Sequence, residues 1–152
     1  MITILAVGKI KEKYLTDGIN EYLKRLSIYE QIKIVELKET TNLPIQENIK
    51  KEGELILSKI NPADYVITLE IKGQNITSEE LANKLENLKT YGTTNIVFII
   101  GGSNGLSNDV IKRKNFGLSF SSFTFPHQLM RLILIEQIYR AYTIINHKEY
   151  HK

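Results

Sequence analysis

Five apolar runs punctuate the chain: ITILAVG within residues 1–8, IKIVEL at 32–37, DYVITLEI at 64–71, NIVFIIG at 95–101 and LSFSSF at 118–123. All are rich in β-branched or aromatic residues, which pack well on a pleated surface, so each run predicts a strand. Several show no alternation with polar residues. That suits strands of a parallel sheet covered on both faces. Between the runs the apolar spacing is helical. Leu15, Ile19, Tyr22, Leu23 and Leu26 share one face, as do Ile45, Ile49, Ile56 and Ile60, then Leu81, Leu85 and Leu88. Thr77 followed by Glu80 has capping-box spacing, which marks the start of the third of these helices. Strand and helix alternate throughout with no linker or repeat. The pattern predicts one α/β domain over residues 1–152, with a mostly parallel sheet flanked by helices and ligands beyond the carboxyl ends of the strands.

The last helix is of another kind. From Pro126, suited to a first helical position, to Ile145, apolar residues cover nearly the whole circumference. Its polar residues form two groups, His127, Gln128 and Arg131, then Glu136, Gln137 and Arg140. Such a helix is either buried centrally in its own chain or packed both on its sheet and on a second subunit.

Composition narrows the function classes. The chain has no cysteine, which removes disulfides, thiolate metal sites and a cysteine nucleophile. The opening apolar run is shorter than the roughly 7 to 15 residues of a signal-peptide core, and no basic segment precedes it. Arg131, Glu136 and Arg140 interrupt the most apolar stretch, so no membrane span is predicted and a cytoplasmic location is expected. The net charge of +3 is mildly favourable for a polyanionic partner.

Three segments could carry chemistry. VFIIGGSNGLS (97–107) runs from a buried strand into Gly101 and Gly102, then a turn and a short helix. Glycines there open the backbone amides to a ligand, although a plain tight turn has the same signature. GGSNG lacks both the G-x-G-x-x-G spacing and the Lys-Ser/Thr ending of a phosphate loop, which argues against hydride-transfer enzymes and NTPases. FSSFTFPHQLMR (120–131) sets Phe120, Phe123 and Phe125 among hydroxyls just before a helix, as either a pocket wall for a purine-bearing ligand or core packing. His127, Gln128 and Arg131 fall in one sector at the helix start. His127 could move a proton and Arg131 could hold a carboxylate or phosphate. His147 and His151 have a metal-compatible spacing but lie at a fraying terminus with no third ligand, so no metal is expected. The basic and aromatic tail could contact RNA.

Together these segments carry a resemblance. ITILAVGKIKEKY, VITLEIKGQNITSEELA, VFIIGGSNGLS, SFSSFTFPHQLMRLILIEQIYRAYTIIN and the closing EYHK occur in order along nearly the whole chain. The set resembles the RlmH family of 23S rRNA pseudouridine N3-methyltransferases, of the SPOUT class. The resemblance implies a fold whose C-terminal part threads a deep trefoil knot. It also implies a homodimer, S-adenosylmethionine as methyl donor, and 23S rRNA of the assembled ribosome as substrate.

Carried over by position, the cofactor contacts are Leu69, Gly101, Phe120, Ser121, Ser122, Phe123, Thr124 and Phe125. His127 and Arg131 become the candidate catalytic residues, and Tyr150, His151 and Lys152 the candidate RNA contacts, supplied by either subunit. Ser122-Phe123 replaces a commoner Lys-Met, which shifts those contacts toward the backbone. His147-Lys148 replaces a commoner Gly-Glu before the tail. Two alternatives stand beside this reading: a non-catalytic ribosome-binding dimer that keeps the pocket, and a transfer RNA methyltransferase.

Overall fold

The computed structural model describes residues 1–152. In chain order the elements are β1 (Ile2–Val7), α1 (Lys13–Leu26), β2 (Ile32–Leu37), α2 (Ile45–Leu57), β3 (Tyr65–Asn75), α3 (Ser78–Thr90), β4 (Ile96–Ile100), α4 (Asn108–Arg113), β5 (Phe116–Ser119) and α5 (His127–Ile145). The five strands form one sheet in the order β2-β1-β4-β3-β5, every neighbouring pair parallel. The chain therefore builds outward from β1 to β2, then crosses back to the other half of the sheet. Ligand crevices form at such a reversal, beyond the carboxyl ends of the strands.

The unbroken apolar runs have a direct structural cause. On β1, Ile2, Ile4 and Ala6 enter one core while Leu5 and Val7 enter the other, and β4 splits likewise into Ile96, Phe98 and Ile100 against Val97 and Ile99. The first core is closed by α1, α3 and α5, the second by α2 and α4. Both faces are dry, so neither can alternate with polar residues.

α5 is the central helix of its layer, between α1 and α3. It buries Leu134, Ile135, Ile138, Ala141 and Tyr142 together with Arg131 and Thr143. Its flanks meet neighbours of matching chemistry: Ser78 Oγ donates to Gln137 Oε1 at 2.6 Å, and Tyr142 OH donates to Glu30 at 3.0 Å. Much of the helix's apolar girth is thus covered within the chain. Leu129 and Ile133, one turn apart, are half-buried and belong to neither core.

Two boundaries and one helix face differ from expectation. Pro126 is the N-cap (ψ 134°) and the helix begins at His127, one residue later than the pattern predicts. β5 occupies 116–119 rather than 118–123, leaving Phe120 to Phe125 as a loop held by Asn75, whose Nδ2 donates to the Ser119 and Phe120 carbonyls at 3.2 and 3.3 Å. α2 turns a different face inward: Asn48, Glu52, Gly53 and Ile56 are buried, while Ile45 is 60% exposed. The polar pair wins because each satisfies main chain, Asn48 Nδ2 donating to Leu43 O at 2.8 Å and Glu52 Oε2 accepting from Thr40 N at 2.9 Å. At α3 the expected cap is present, Thr77 Oγ1 accepting from Glu80 N at 3.1 Å.

Candidate active site

A cavity of about 670 Å³ opens at the carboxyl ends of β3 and β4. Its size is in the range of pockets for nucleotide-sized ligands, roughly 300–1,000 Å³. Leu69 and Ile71 come from β3, Ile100 to Leu106 from the connection after β4, and Thr124 to His127 from the connection into α5. Three separate stretches of chain therefore meet at the cavity. The walls are apolar at Leu69, Ile100, Leu106 and Phe125 and polar at a few points only.

The glycine connection folds back on itself. Gly105 N donates to Gly102 O at 3.1 Å, and Gly105 takes a φ of +88°, a conformation open to glycine at little cost. At Gly101 a Cβ would stand 2.9 Å from Leu106 Cδ2 and 3.2 Å from the Gly105 backbone. No side chain fits there, so main chain borders the cavity. Beneath the loop lie two carboxylates. Glu39 Oε1 accepts from Ser103 Oγ at 2.7 Å, and this bond holds its carboxyl below the ordinary value despite some burial. Burial pushes the Glu52 carboxyl up, with a smaller push from the Glu39 charge. α2 supports the same loop through Gly53, where a Cβ would come within 2.2 Å of Ser107 Oγ.

Of the residues singled out from sequence, Leu69, Gly101, Thr124, Phe125 and His127 line this cavity. Phe120, Ser121 and Phe123 line a recess of about 60 Å³ that shares Glu70, Thr124 and Phe125 with it. Ser122 lines neither. Phe123 is 75% exposed and meets Phe125 edge-on, with ring centroids 6.4 Å apart.

Arg131 departs from the expected position beside the pocket. It is 2% exposed, its NH1 pairs with Glu36 Oε2 at 2.5 Å, and its NH2 donates to Gly8 O at 3.2 Å. Helical spacing put it in the sector of His127, but the partly exposed acid Glu36 on β2 and the open carbonyl of the β1 connection take its guanidinium inward.

The tail also lies elsewhere. Tyr150 OH donates to Glu136 at 3.1 Å, and the His151 ring bonds Arg140 NH1 at 3.1 Å and Glu79 at 2.6 Å. These partners sit along the distal half of α5 and at the start of α3. The partners Glu136 and Arg140 stand about 14 and 20 Å along the helix from His127, so in one chain the tail is held back from the cavity.

Sequence reasoning missed Glu70, Lys72 and Ser103 in the wall. Glu70 and Lys72 follow Leu69 on a run that looked like an ordinary strand end. Only its irregular pairing with β5, which jumps from Leu69 to Gln74 at the same partner Leu118, turns those residues toward the cavity.

Comparison with known proteins decides the family. The family described as "Predicted SPOUT methyltransferase" matches residues 1–151. The chain belongs to the SPOUT methyltransferase family. Relatives named Ribosomal RNA large subunit methyltransferase H are 52% identical in Carboxydothermus hydrogenoformans and 55% in Bacillus pumilus, each alignment covering 99% of both chains. A solved structure described as a probable methylase family protein from Haemophilus influenzae Rd KW20 superposes with a TM-score of 0.53. It is 14% identical and covers 96% of this chain and 66% of that one, a likeness of fold. SPOUT methyltransferases use S-adenosylmethionine, and a cavity walled by bare main chain and apolar side chains suits an adenosyl group.

Proposed function

We propose that this SPOUT methyltransferase transfers a methyl group from S-adenosylmethionine to N3 of a pseudouridine in 23S rRNA of the assembled ribosome, acting as a cytoplasmic homodimer. The observation that carries this reading is the separation of His127, at the cavity edge, from the basic and aromatic tail, whose Tyr150 and His151 are held at Glu136 and Arg140, about 14 and 20 Å along α5. A site that needs both is complete only when a second copy lends its tail. Leu129 and Ile133, outside both cores, offer the apolar surface for that copy. No helix is long and apolar enough to cross a membrane. We extend the reading to the trefoil knot of this class, since the 101–107 and 120–127 connections meet at one cavity.

S-adenosylmethionine supplies a methyl group on a sulfonium centre, open to direct displacement by a nitrogen nucleophile. The Gly101 to Gly105 main chain, Leu69 and the Thr124–Phe125 backbone hold the adenosyl part, with Phe120, Ser121, Ser122 and Phe123 closing its side. His127 faces the cavity and accepts the N3 proton directly or through a water. Arg131 acts from below, fixing the first turn of α5 to the β1 connection through Glu36 and Gly8. Tyr150, His151 and Lys152 of the second copy hold the RNA. Alignment of acceptor and methyl carbon can supply about 7 kcal/mol or more of the barrier reduction.

Labelled methyl transfer tests the reaction: whole ribosomes are the expected acceptor and free 23S rRNA a poor one. Cofactor binding with no transfer to ribosomes would establish a non-catalytic ribosome binder, and transfer to transfer RNA alone would establish the other alternative. Mixed subunits test the shared site. His127→Ala protein and a His151→Ala/Lys152→Ala protein should each be nearly inactive, while an equal mixture of re-formed dimers should recover about one quarter of full activity, one intact site in half of the dimers. No recovery on mixing would mean that each site is built within one chain.

A further inference from the structure

The cavity wall contains a carboxylate that methyl transfer as described above does not use. Glu70 follows Leu69 where β3 stops matching β5, since Leu69 and Gln74 both pair with Leu118. Residues 70–73 swing out of the regular ladder, and Glu70 becomes wall to both the main cavity and its recess. Its Oε2 is fixed twice, accepting from Thr68 Oγ1 at 2.5 Å and from Lys114 Nζ at 2.7 Å.

β5 makes room for this arrangement. A Cβ on Gly117 would stand 2.9 Å from Glu70 Oε2 and 3.2 Å from Lys114 Nζ, so the bare glycine is a shelf on which the ion pair lies. The Glu70 side chain is 14% exposed, which leaves it mostly dry and oriented. Its other oxygen, Oε1, makes no hydrogen bond within the chain. A carboxylate oxygen in that setting is a strong acceptor. The ammonium at 2.7 Å already offsets the charge, so the group suits neutral hydroxyl donors better than a second cation.

We propose that Glu70 Oε1 accepts a hydrogen bond from a ribose hydroxyl of the adenosyl ligand, so that the site selects a ribonucleoside over its deoxy counterpart. This rests on the reading of the cavity as the S-adenosylmethionine pocket. Thr68, Lys114 and Gly117 are then the positioning residues: they hold the acceptor in place before the ligand arrives, and none of the three lines the cavity.

Isothermal titration with S-adenosylhomocysteine and its 2′-deoxy and 3′-deoxy analogues tests the assignment without any catalytic readout. The unaltered protein should bind the parent about tenfold or more tightly than at least one analogue, as expected for a hydrogen bond to a charged group. Glu70→Gln should cut that ratio severalfold by weakening the parent alone. Glu70→Asp, which keeps the charge but draws the oxygen back, should do the same, and unfolding midpoints confirm that each variant is folded. An unchanged ratio in both folded variants overturns the proposal and leaves the cofactor pocket standing. Weakened binding of S-adenosylmethionine with unchanged binding of S-adenosylhomocysteine also overturns it, since the carboxylate would then answer to the sulfonium charge. Absence of binding of any of these ligands to the unaltered protein overturns the pocket itself.

Discussion

Arg131 NH1 lies 2.5 Å from Glu36 Oε2, and the same carboxylate oxygen accepts from Ile10 N at 3.3 Å. Through this one acid, β2 holds both the start of α5 and the connection after β1, which meet at the cavity edge beside His127. A charged group this close to a candidate proton acceptor can shape the site without touching the substrate.

Arg131→Met should therefore lower stability by about 3 kcal/mol, the scale for breaking a buried pair, with the solvent-reached side of Glu36 keeping the loss toward the low end. Urea unfolding measures it. Affinity for S-adenosylhomocysteine should fall as well, because the Gly8 connection and the first turn of α5 lose their common anchor. A variant of normal stability would show that the ion pair contributes nothing net.

Gly53→Ala should destabilise by about 1–3 kcal/mol through overpacking, since the new methyl would stand 2.2 Å from Ser107 Oγ and 2.8 Å from its Cβ. Ser107→Gly in the same chain removes both atoms. Ser107 is the N-cap of α4, its Oγ accepting from Val110 N at 3.3 Å, and glycine is a tolerable replacement there. The double variant should recover most of the lost midpoint in thermal unfolding and most of the lost ligand affinity. Additive losses would place the strain elsewhere.

His147 has a φ of 55°, unusual for a residue with a side chain. It follows the C-cap Asn146, and the bonds Lys148 N to Thr143 O (2.8 Å) and His147 N to Ile144 O (3.2 Å) form a Schellman motif, where glycine is the usual occupant. His147→Gly should raise stability by about 1 kcal/mol by relieving that conformation, read as an upward shift in Tm. His147→Ala should bring no gain. A lower Tm for the glycine variant would point to a contact made by the imidazole.

Burial pushes the Tyr142 phenol from 10.0 up to about 12, and its hydroxyl donates to Glu30. An acid held in its neutral form by the fold contributes stability below its unfolded value, and that contribution disappears as pH rises through the folded one. Between pH 10 and about 12 the protein should therefore lose stability more steeply than its Tyr142→Phe variant. Phenolate absorbance supplies a second readout: Tyr142 should ionise late, together with Tyr150, which burial and its bonds to Tyr22 and Glu136 also push up. Parallel stability curves for the two proteins would contradict this.

Much was legible from residue order because local physics decided it. Six consecutive buried residues in β1, five of them apolar, require a sheet covered on both faces, and Thr77 with Glu80 marks a helix start whatever surrounds it. At Gly101, Thr124 and Phe125 residue order left a plain turn and core packing open beside a ligand wall, and the family resemblance pointed to the wall that the structure places there. The remainder depended on distant partners. Ile45 and Ile49 suggested one face for α2, yet the main-chain groups of Leu43 and Thr40 drew Asn48 and Glu52 inward. Spacing placed Arg131 with His127, but Glu36, remote in sequence, took its guanidinium. Periodicity states which residues share a face; what that face meets, and so whether a charge is free or spent, is set by hydrogen bonds and ion pairs that exist only once β2, β5 and α5 have been brought together.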